Sequence, residues 1–266
     1  THRDLIALQT GRLGPRHPQT LYSQALLASN LVLQKRMDEA ASLIAPAVGG
    51  LTASLGAQAR RTLLAQGVQA SIALVQRRFQ DASAIYGQVV AGLTQAYGPR
   101  SPSSIVALEN QAIATQFGIG ADAAEPLFRS ALRKARALFK EDNPRVQHLR
   151  FALADCLLTA HRKTGEAVAL LAGLDPHILD GADREPNWDG RLYYENGRAL
   201  LLRGRPREAL AQLQKAEPIV ARLSGDLWVQ LSAVQAQIAA ARAQLAGTAT
   251  PASGSTAMVT TQTPAT

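Results

Sequence analysis

Leu13-Gly14-Pro15-Arg16-His17-Pro18-Gln19-Thr20-Leu21 is a turn whose pattern returns along the chain. The pattern occupies residues 55–63 on its first return, 97–105 on its second and 139–147 on its third, always at the same offset. A fixed period of about this length is typical of a helical solenoid, in which each unit buries its apolar face against the next. The period therefore predicts a stack of helical hairpins.

Buried alanines are expected at the same period. Ala40, Ala82 and Ala124 lie one period apart, and so do Ala167 and Ala209. The step from Ala124 to Ala167 is longer than the others by a single inserted residue. Small side chains at these positions would allow neighbouring helices to approach closely.

The composition favours helices over strands. Apolar residues make up 47% of the 266 residues, but aromatic residues only 5%, so the core must be built from Leu, Ala, Val and Ile. That balance suits close-packed helices better than a β-sandwich, which is richer in aromatic and β-branched residues.

Local signals place the helix ends. His17, Ser101 and Asn143 each precede a proline, a pattern that predicts a cap residue followed by the first helical position. Pro46 and the pair Gly49-Gly50 lie inside the predicted second helix of the first repeat, so we expect that helix to be kinked or broken there.

The chain divides into four segments. Residues 1–12 are interpreted as the end of a helix that belongs to a preceding, truncated repeat, and residues 13–225 as the repeat array. Residues 226–246 are predicted to form a capping helix, and residues 247–266 a disordered Thr/Ala/Ser/Pro tail. Within the array, residues 175–187 are predicted to be a loop or a short broken helix.

Two segments carry a family resemblance. Residues 13–18 (Leu-Gly-Pro-Arg-His-Pro) and 139–144 (Phe-Lys-Glu-Asp-Asn-Pro) are similar to the turn that opens the long variety of tetratricopeptide repeat, found in kinesin light chains and bacterial signalling proteins. Residues 124–132 (Ala-Glu-Pro-Leu-Phe-Arg-Ser-Ala-Leu) resemble the start of its second helix. The resemblance covers residues 13–225.

The resemblance implies an all-α, right-handed superhelical solenoid of about five helical hairpins with a C-terminal capping helix. It also implies a non-catalytic module that binds a protein or peptide segment on the concave face formed by the first helices. Arrays of this variety are often attached to Ser/Thr kinases or winged-helix regulators. We therefore expect the sensory or regulatory part of a larger bacterial signalling protein.

The period also identifies the positions that should line this face. They begin at Tyr22, Ala25 and Ser29 in the first repeat. The later positions are Leu64, Gly67, Ser71, Val106, Glu109, Ile113, His148, Phe151, Asp155, Arg191, Tyr194 and Arg198, with Asn110 beside Glu109.

The ligand predicted for this face is an extended or helical segment, apolar at one end and polar at the other. Phe151, Tyr194 and Arg198 are the expected anchors, because aromatic residues and Arg dominate binding hot spots. The long variety usually carries an Asn pair in each first helix, but here only Asn110 remains. The full set of predicted partner-binding residues is Tyr22, Glu109, Asn110, His148, Phe151, Asp155, Arg191, Tyr194 and Arg198.

No catalytic residue, cofactor or metal is predicted. The chain has no Gly-rich phosphate loop, nucleophile elbow or His-Glu-x-x-His pattern. His148, Cys156 and His161 share a predicted helix, but their spacing does not place all three on one side. An acidic segment fits no EF-hand spacing and is interpreted as a solvated connection: Asp175, Asp180, Asp183, Glu185 and Asp189.

The net charge of +8 leaves a second function open, a helical solenoid that binds nucleic acid through its basic surface. We disfavour it because the basic residues are scattered over many helices. The single cysteine, Cys156, excludes an internal disulfide and allows cytoplasm or periplasm, and a sensor role favours the periplasm. A membrane contact is expected only through a segment outside this chain, and the oligomeric state is left open.

Overall fold

The computed structural model describes residues 1–183, 188–223 and 229–248, and every regular element in these residues is an α-helix. The helices in chain order are α1 (His2–Leu13), α2 (Pro18–Leu33), α3 (Met37–Leu55), α4 (Arg60–Val75), α5 (Phe79–Tyr97), α6 (Pro102–Gly118), α7 (Ala121–Arg136), α8 (Pro144–Thr159), α9 (Thr164–Leu171), α10 (Pro176–Asp183), α11 (Trp188–Leu202), α12 (Pro206–Val220) and α13 (Leu231–Thr248).

The helix boundaries keep the period of the sequence. The first helices α2, α4, α6 and α8 begin at Pro18, Arg60, Pro102 and Pro144, each one full period after the last. The second helices α3, α5 and α7 begin with the same spacing, and each packs against the first helix before it. The prediction of an all-α fold built from helical hairpins is confirmed.

Predicted caps start three of the four first helices. The side chains of His17, Ser101 and Asn143 accept hydrogen bonds from backbone N–H groups of the first helical turn, at 3.2, 3.2 and 2.9 Å. Ala59 holds the equivalent position before α4 and offers no side-chain acceptor. The array therefore tolerates one uncapped start, since most helical stability comes from tertiary packing.

Small residues hold the helix pairs together. The five alanines that mark the period in the sequence have no exposed surface. Gly92 of α5 is packed as tightly, because a Cβ atom added there would lie 2.6 Å from a methyl carbon of Leu63 on α4. Close approach of this kind gives an interior built from small aliphatic side chains its native packing density.

The predicted break in α3 is wrong, because the helix runs without interruption through Pro46 and Gly49-Gly50. Its apolar side continues past Pro46, with Ile44 and Leu51 both buried against α2. That packing outweighs the single hydrogen bond that proline removes. Pro126 likewise lies inside an uninterrupted α7.

The irregular part of the array follows α8. Both α9 and α10 have eight residues, half the length of α8. Asp175 begins α10 by accepting a hydrogen bond from the His177 N–H at 2.9 Å, and its own N–H donates to Gln147 at 2.8 Å. Most of the segment 175–187, predicted to be a loop or a short broken helix, forms the short helix α10, and residues 184–187 lie outside the described residues.

Two compact units divide the chain, residues 1–188 and 189–266. In the second unit, α12 and α13 share a buried cluster that includes Leu213, Val220, Val234 and Ile238. The predicted capping helix corresponds in position to α13, although residues 224–228 are not described. Most of the predicted tail, residues 249–266, also lies outside the described residues. No described helix meets the length and apolarity that a bilayer crossing requires.

Candidate functional site

An open groove of about 310 Å³ lies between the first helices α4 and α6, with the second helix α5 as its floor. We call it the α4–α6 groove, and all of it belongs to the first compact unit. Its lining residues are Leu63, Leu64, Gly67, Val68 and Ser71 from α4, Tyr86, Val89 and Leu93 from α5, and Pro102, Ser103, Val106, Ala107 and Asn110 from α6.

Gly67 leaves the groove open on the α4 side. A Cβ atom added at this position would meet no atom within 4 Å, so the space above it is free. The equivalent residues in the first, third and fourth repeats are Ala25, Glu109 and Phe151, and the corresponding residue of the fifth is Tyr194. Gly67 is therefore the smallest residue at this periodic position.

Three polar groups meet in the groove. The Ser71 Oγ and Tyr86 Oη atoms are 2.7 Å apart, and Ser71 also donates to the Gly67 carbonyl at 3.0 Å. Burial raises the pKa of Tyr86 to about 12, despite hydrogen bonds with Ser71 and Asn110 that favour the charged form. The phenol is therefore neutral at physiological pH and remains a hydrogen-bond donor.

Tyr22 occupies the same periodic position as Leu64, one repeat earlier, and is half-buried in the first core cluster. The guanidinium of Arg61 lies 5.6 Å from the centre of the Tyr22 ring, a cation–π distance. Arg60 lies at the same distance from the ring of Tyr97. The first-helix face is therefore covered by a Tyr–Arg pair in the first repeat and open in the second.

Glu109 lies on the first-helix face between α6 and α8 but is only 1% exposed. Its carboxylate accepts a hydrogen bond from Arg145 at 2.5 Å and is in close contact with His148. Burial disfavours its charged form, yet the charges and hydrogen bonds of His148 and Arg145 outweigh burial and lower the pKa of Glu109. This predicted binding residue is thus an internal ion-pair partner.

Phe151 and Asp155 are also part of the interior. Phe151 has no exposed surface, and its ring packs edge-on against Trp188 with centroids 4.8 Å apart. Asp155 is 4% exposed and accepts a hydrogen bond from Gln116 at 2.5 Å. His148 contacts the same Trp188 ring at 5.2 Å. Phe151 therefore offers no surface on which a partner could anchor.

The remaining predicted residues lie on α11, in the second unit. Arg191 and Tyr194 are each 7% exposed, so both are largely buried. Arg198 donates to Glu195 at 2.8 Å, and its guanidinium lies 5.5 Å from the Tyr194 ring. These three side chains therefore interact mainly within the protein.

Period counting identified the α4 and α6 sides of the groove through Leu64, Gly67, Ser71 and Val106, and Asn110 lies beside the counted position Glu109. It missed the floor, Tyr86, Val89 and Leu93, because only first helices were counted. A signal for Tyr86 was present, since Ile44 and Phe128 lie one period before and one period after it. Those large apolar residues mark the same inward-facing position of the second helix.

The described residues form neither a metal-binding cluster nor a reactive cysteine site. No group of three or more His, Cys, Asp or Glu side chains there is arranged to hold a metal ion. Cys156 is buried, and its thiol donates to the Ala121 carbonyl at 3.3 Å. Burial, reinforced by the nearby Asp155 charge, raises the pKa of Cys156 to about 12, so it stays a neutral thiol.

Many basic side chains are already paired with carboxylates, which lowers the charge free to meet phosphate groups. The paired residues are Arg3, Arg36, Arg78, Arg129, Arg136, Arg145, Arg150, Arg162, Lys163, Arg198 and Arg205.

No protein-family description and no curated protein matches this chain. Solved structures do. A kinesin light chain with nearly identical tetratricopeptide-like repeats from Podospora anserina superimposes with a TM-score of 0.61 at 22% identity, over 77% of this chain and 97% of that one. BtubC from P. vanneervenii superimposes with a TM-score of 0.60 at 17% identity, over 86% of this chain and 98% of that one.

These similarities agree with the turn and helix patterns of the sequence. At such identities they establish the fold and not the ligand. This chain therefore has the tetratricopeptide-like repeat fold seen in these kinesin-light-chain-like structures.

Proposed function

We propose that this chain is a non-catalytic protein-interaction scaffold and that the α4–α6 groove holds a segment of its partner. The observation that carries the proposal is an open and mainly apolar groove at the periodic positions of two successive first helices. Apolar grooves with a few polar groups are the usual form of a binding site.

The size of the groove limits what it can hold. At about 310 Å³ it lies at the lower end of the range of roughly 300–1,000 Å³ for ligand pockets. It therefore fits a few apolar side chains of a protein segment, with the rest of the partner lying along the surrounding first helices. The half-buried side chains of Leu64 and Val106 would form the walls around them.

The polar groups give the groove a means of selection. A partner group that hydrogen-bonds with Asn110 or with the Ser71–Tyr86 pair would be preferred over an apolar group of the same shape. Ser71, Tyr86 and Asn110 already hydrogen-bond with one another, so the preference would come from the further hydrogen bond that the partner group adds, worth about 0.5–1.5 kcal/mol. We expect a segment that is apolar along most of its contact and polar at one point.

The wider role we propose is recognition within a larger bacterial signalling protein, as its sensory or regulatory part. Support for this role comes from the sequence resemblance alone. The residues that we now propose for partner contact are those of the groove, joined by the half-buried Tyr22 on the same face of the preceding repeat.

The test compares substitutions at two helical glycines, both of which have free space for a side chain. Gly67 faces the groove and Gly49 lies on the exposed side of α3, and a Cβ atom at either would meet nothing within 4 Å. A partner is first isolated with the parent chain, and its affinity is then measured for the Gly67→Phe and Gly49→Phe variants.

We expect Gly67→Phe to weaken capture at least about tenfold, because the phenyl ring fills the groove. Gly49→Phe should bind as the parent chain does. Both variants should keep the parent's circular dichroism spectrum. Equal binding by Gly67→Phe and the parent would exclude the groove as the binding site.

A further inference from the structure

Exposed apolar side chains recur along one edge of the array, where a short turn joins each second helix to the next first helix. Leu55 and Tyr97 end α3 and α5, and they are 41% and 47% exposed. Leu13 ends α1 in the same register and is 45% exposed, so the exposure belongs to this position of the repeat. The three side chains therefore form a row within the first compact unit and not a scatter of single residues.

Arginines accompany this row. Arg16 and Arg100 hold the same position in the first and third turns and are exposed, and Arg60 is the exposed first residue of α4. The Arg60 guanidinium lies 5.6 Å from the centre of the Tyr97 ring, which brings a cation and an aromatic ring together on the edge. None of the three arginines pairs with a carboxylate among the described residues. We call this surface the arginine edge, and it consists of Leu13, Arg16, Leu55, Arg60, Tyr97 and Arg100.

The arginine edge keeps its positive charge because the nearby acidic residues lie at the other end of the helices. Residues 5–108 contain three acids, Asp38, Glu39 and Asp81, and all of them lie in the first turns of α3 and α5. The 16 residues of α4 run from one edge to the other over about 24 Å, more than twice the Debye length of about 10 Å. The distant carboxylates therefore leave the arginine edge electropositive.

The fourth turn of the same kind has a different charge. Asp142 occupies the position of Arg16 and Arg100 there, and Glu141 precedes it. Glu141 pairs with Arg136, so cations and carboxylates lie side by side at this turn. The combination of exposed apolar side chains and unpaired arginines is therefore confined to the first three turns.

We propose that the arginine edge docks on an anionic membrane surface, with its arginines at the lipid phosphates and Leu13, Leu55 and Tyr97 among the headgroups. Arginine suits this contact because its planar fork of N–H donors matches phosphate oxygens. Tyrosine suits it because an apolar ring with a polar end is at home where lipid meets water. This function goes beyond the protein-binding role of the groove, and it was not expected from the sequence.

The apolar side chains favour a lipid surface over a nucleic acid or a protein. A phosphodiester backbone would engage the arginines but would gain nothing from Leu13 and Leu55. A protein partner covers a continuous apolar centre, whereas arginine and turn residues separate the apolar side chains of successive repeats here. A fluid headgroup layer accepts each apolar side chain separately, so the spacing along the edge is no obstacle.

The expected contact is peripheral and reversible. Three arginines and three shallow apolar side chains give weak binding that depends on lipid charge, and salt screens the attraction within a Debye length. We therefore expect the chain to bind anionic vesicles at about 50 mM salt and to be released by about 500 mM salt.

Flotation of the whole chain with lipid vesicles tests the proposal. Vesicles of phosphatidylcholine with about one-third phosphatidylglycerol should bind the parent chain, and vesicles of phosphatidylcholine alone should not. Arg16→Glu combined with Arg100→Glu should weaken binding at least about tenfold. The matched control, Lys35→Glu combined with Arg77→Glu, makes the same change of charge at two exposed cations on the opposite edge. It should bind within about threefold of the parent chain.

A second pair of variants tests the apolar side chains. Leu55→Ser combined with Tyr97→Ser should weaken vesicle binding at least about fivefold, because these side chains no longer leave water. The matched control is Leu33→Ser combined with Val75→Ser, which removes side chains that are 80% and 51% exposed at the opposite edge. That control should bind vesicles as the parent chain does, and circular dichroism should show unchanged helix content in all variants.

Failure of the parent chain to bind the anionic vesicles would overturn the proposal. So would equal losses in an edge variant and its control. A short single-stranded oligonucleotide that binds more tightly than the vesicles, with no change in Leu55→Ser combined with Tyr97→Ser, would assign the arginines to nucleic acid and overturn it as well. None of the substituted residues lines the α4–α6 groove, so the proposed partner binding there is tested separately.

Discussion

Two neighbouring parts of the first-helix face use the same period but differ in what fills them. Between α4 and α6 the face opens into a groove, and the periodic residue there is Gly67. Between α6 and α8 the corresponding positions are Glu109 and Phe151, and both are buried. The repeat therefore fixes where a side chain lies, whereas the size and charge of that side chain decide whether the position becomes core or binding surface.

The largest expected effect comes from removing the ring that fills the α6–α8 side. Phe151→Ala should lower the free energy of unfolding by about 3–5 kcal/mol, because Phe151 is fully buried against Trp188. Leu64→Ala in the half-buried wall of the groove should lower it by only about 1 kcal/mol. Urea unfolding of both variants measures the difference. Equal losses of unfolding free energy in the two variants would mean that the α4–α6 groove is packed as tightly as the α6–α8 side.

The next effect comes from the buried ion pair. Glu109→Gln should cost about 2 kcal/mol of unfolding free energy, since it removes the buried carboxylate charge that pairs with Arg145 and contacts His148. The control is Glu141→Gln, whose carboxylate pairs with Arg136 but is 56% exposed. That variant should change the free energy of unfolding by less than about 0.5 kcal/mol. If Glu109→Gln also changed the free energy of unfolding by less than about 0.5 kcal/mol, the pair of Glu109 with Arg145 would not contribute to stability.

The same carboxylate predicts a pH dependence. Burial raises the cost of ionising Glu109, but His148 and Arg145 hold its pKa below the ordinary 4.5. A depressed folded-state pKa gives stability that is present above the unfolded-state pKa and is lost as pH falls through the folded-state value. Between about pH 5 and about pH 3, the parent chain should therefore lose unfolding free energy faster than Glu109→Gln. Parallel curves for the two would contradict this.

The smallest effect distinguishes an open glycine from a packed one. Gly67→Ala should raise the free energy of unfolding by up to about 1 kcal/mol, because a methyl group fits freely and alanine favours the helix. Gly92→Ala should lower it, because its Cβ would lie 2.6 Å from Leu63. Thermal unfolding gives the sign of both changes. If both variants are stabilised, the close contact at Gly92 relaxes at little cost.

The sequence predicted helix positions well because the period is set by local chemistry. Prolines at the first position of α2, α6 and α8, and glycines after α1, α3 and α5, recur in step with the period. The starts of the first helices therefore follow from the turns alone. The α4 and α6 sides of the groove follow from the same count, as at Gly67 and Val106.

The burial of individual side chains was harder to predict. The period places Phe151 on the first-helix face but does not show that Trp188 packs against it, because Trp188 follows α10, a helix that the first three repeats lack. Glu109 was predicted to line the binding face and contact the partner, since nothing local indicates that Arg145 and His148 converge on it from the next repeat. Contacts between repeats decide such cases, and a count along one helix does not contain them.

The central claim is that partner binding takes place in the α4–α6 groove. Hydrogen exchange of the chain, measured with and without a partner isolated by the parent protein, tests it most directly. We expect added protection in α4 and α6, with α8 unchanged because its side of the face is already filled. Protection confined to α8 or to the second unit, with α4 and α6 unaffected, would mean that the partner binds elsewhere.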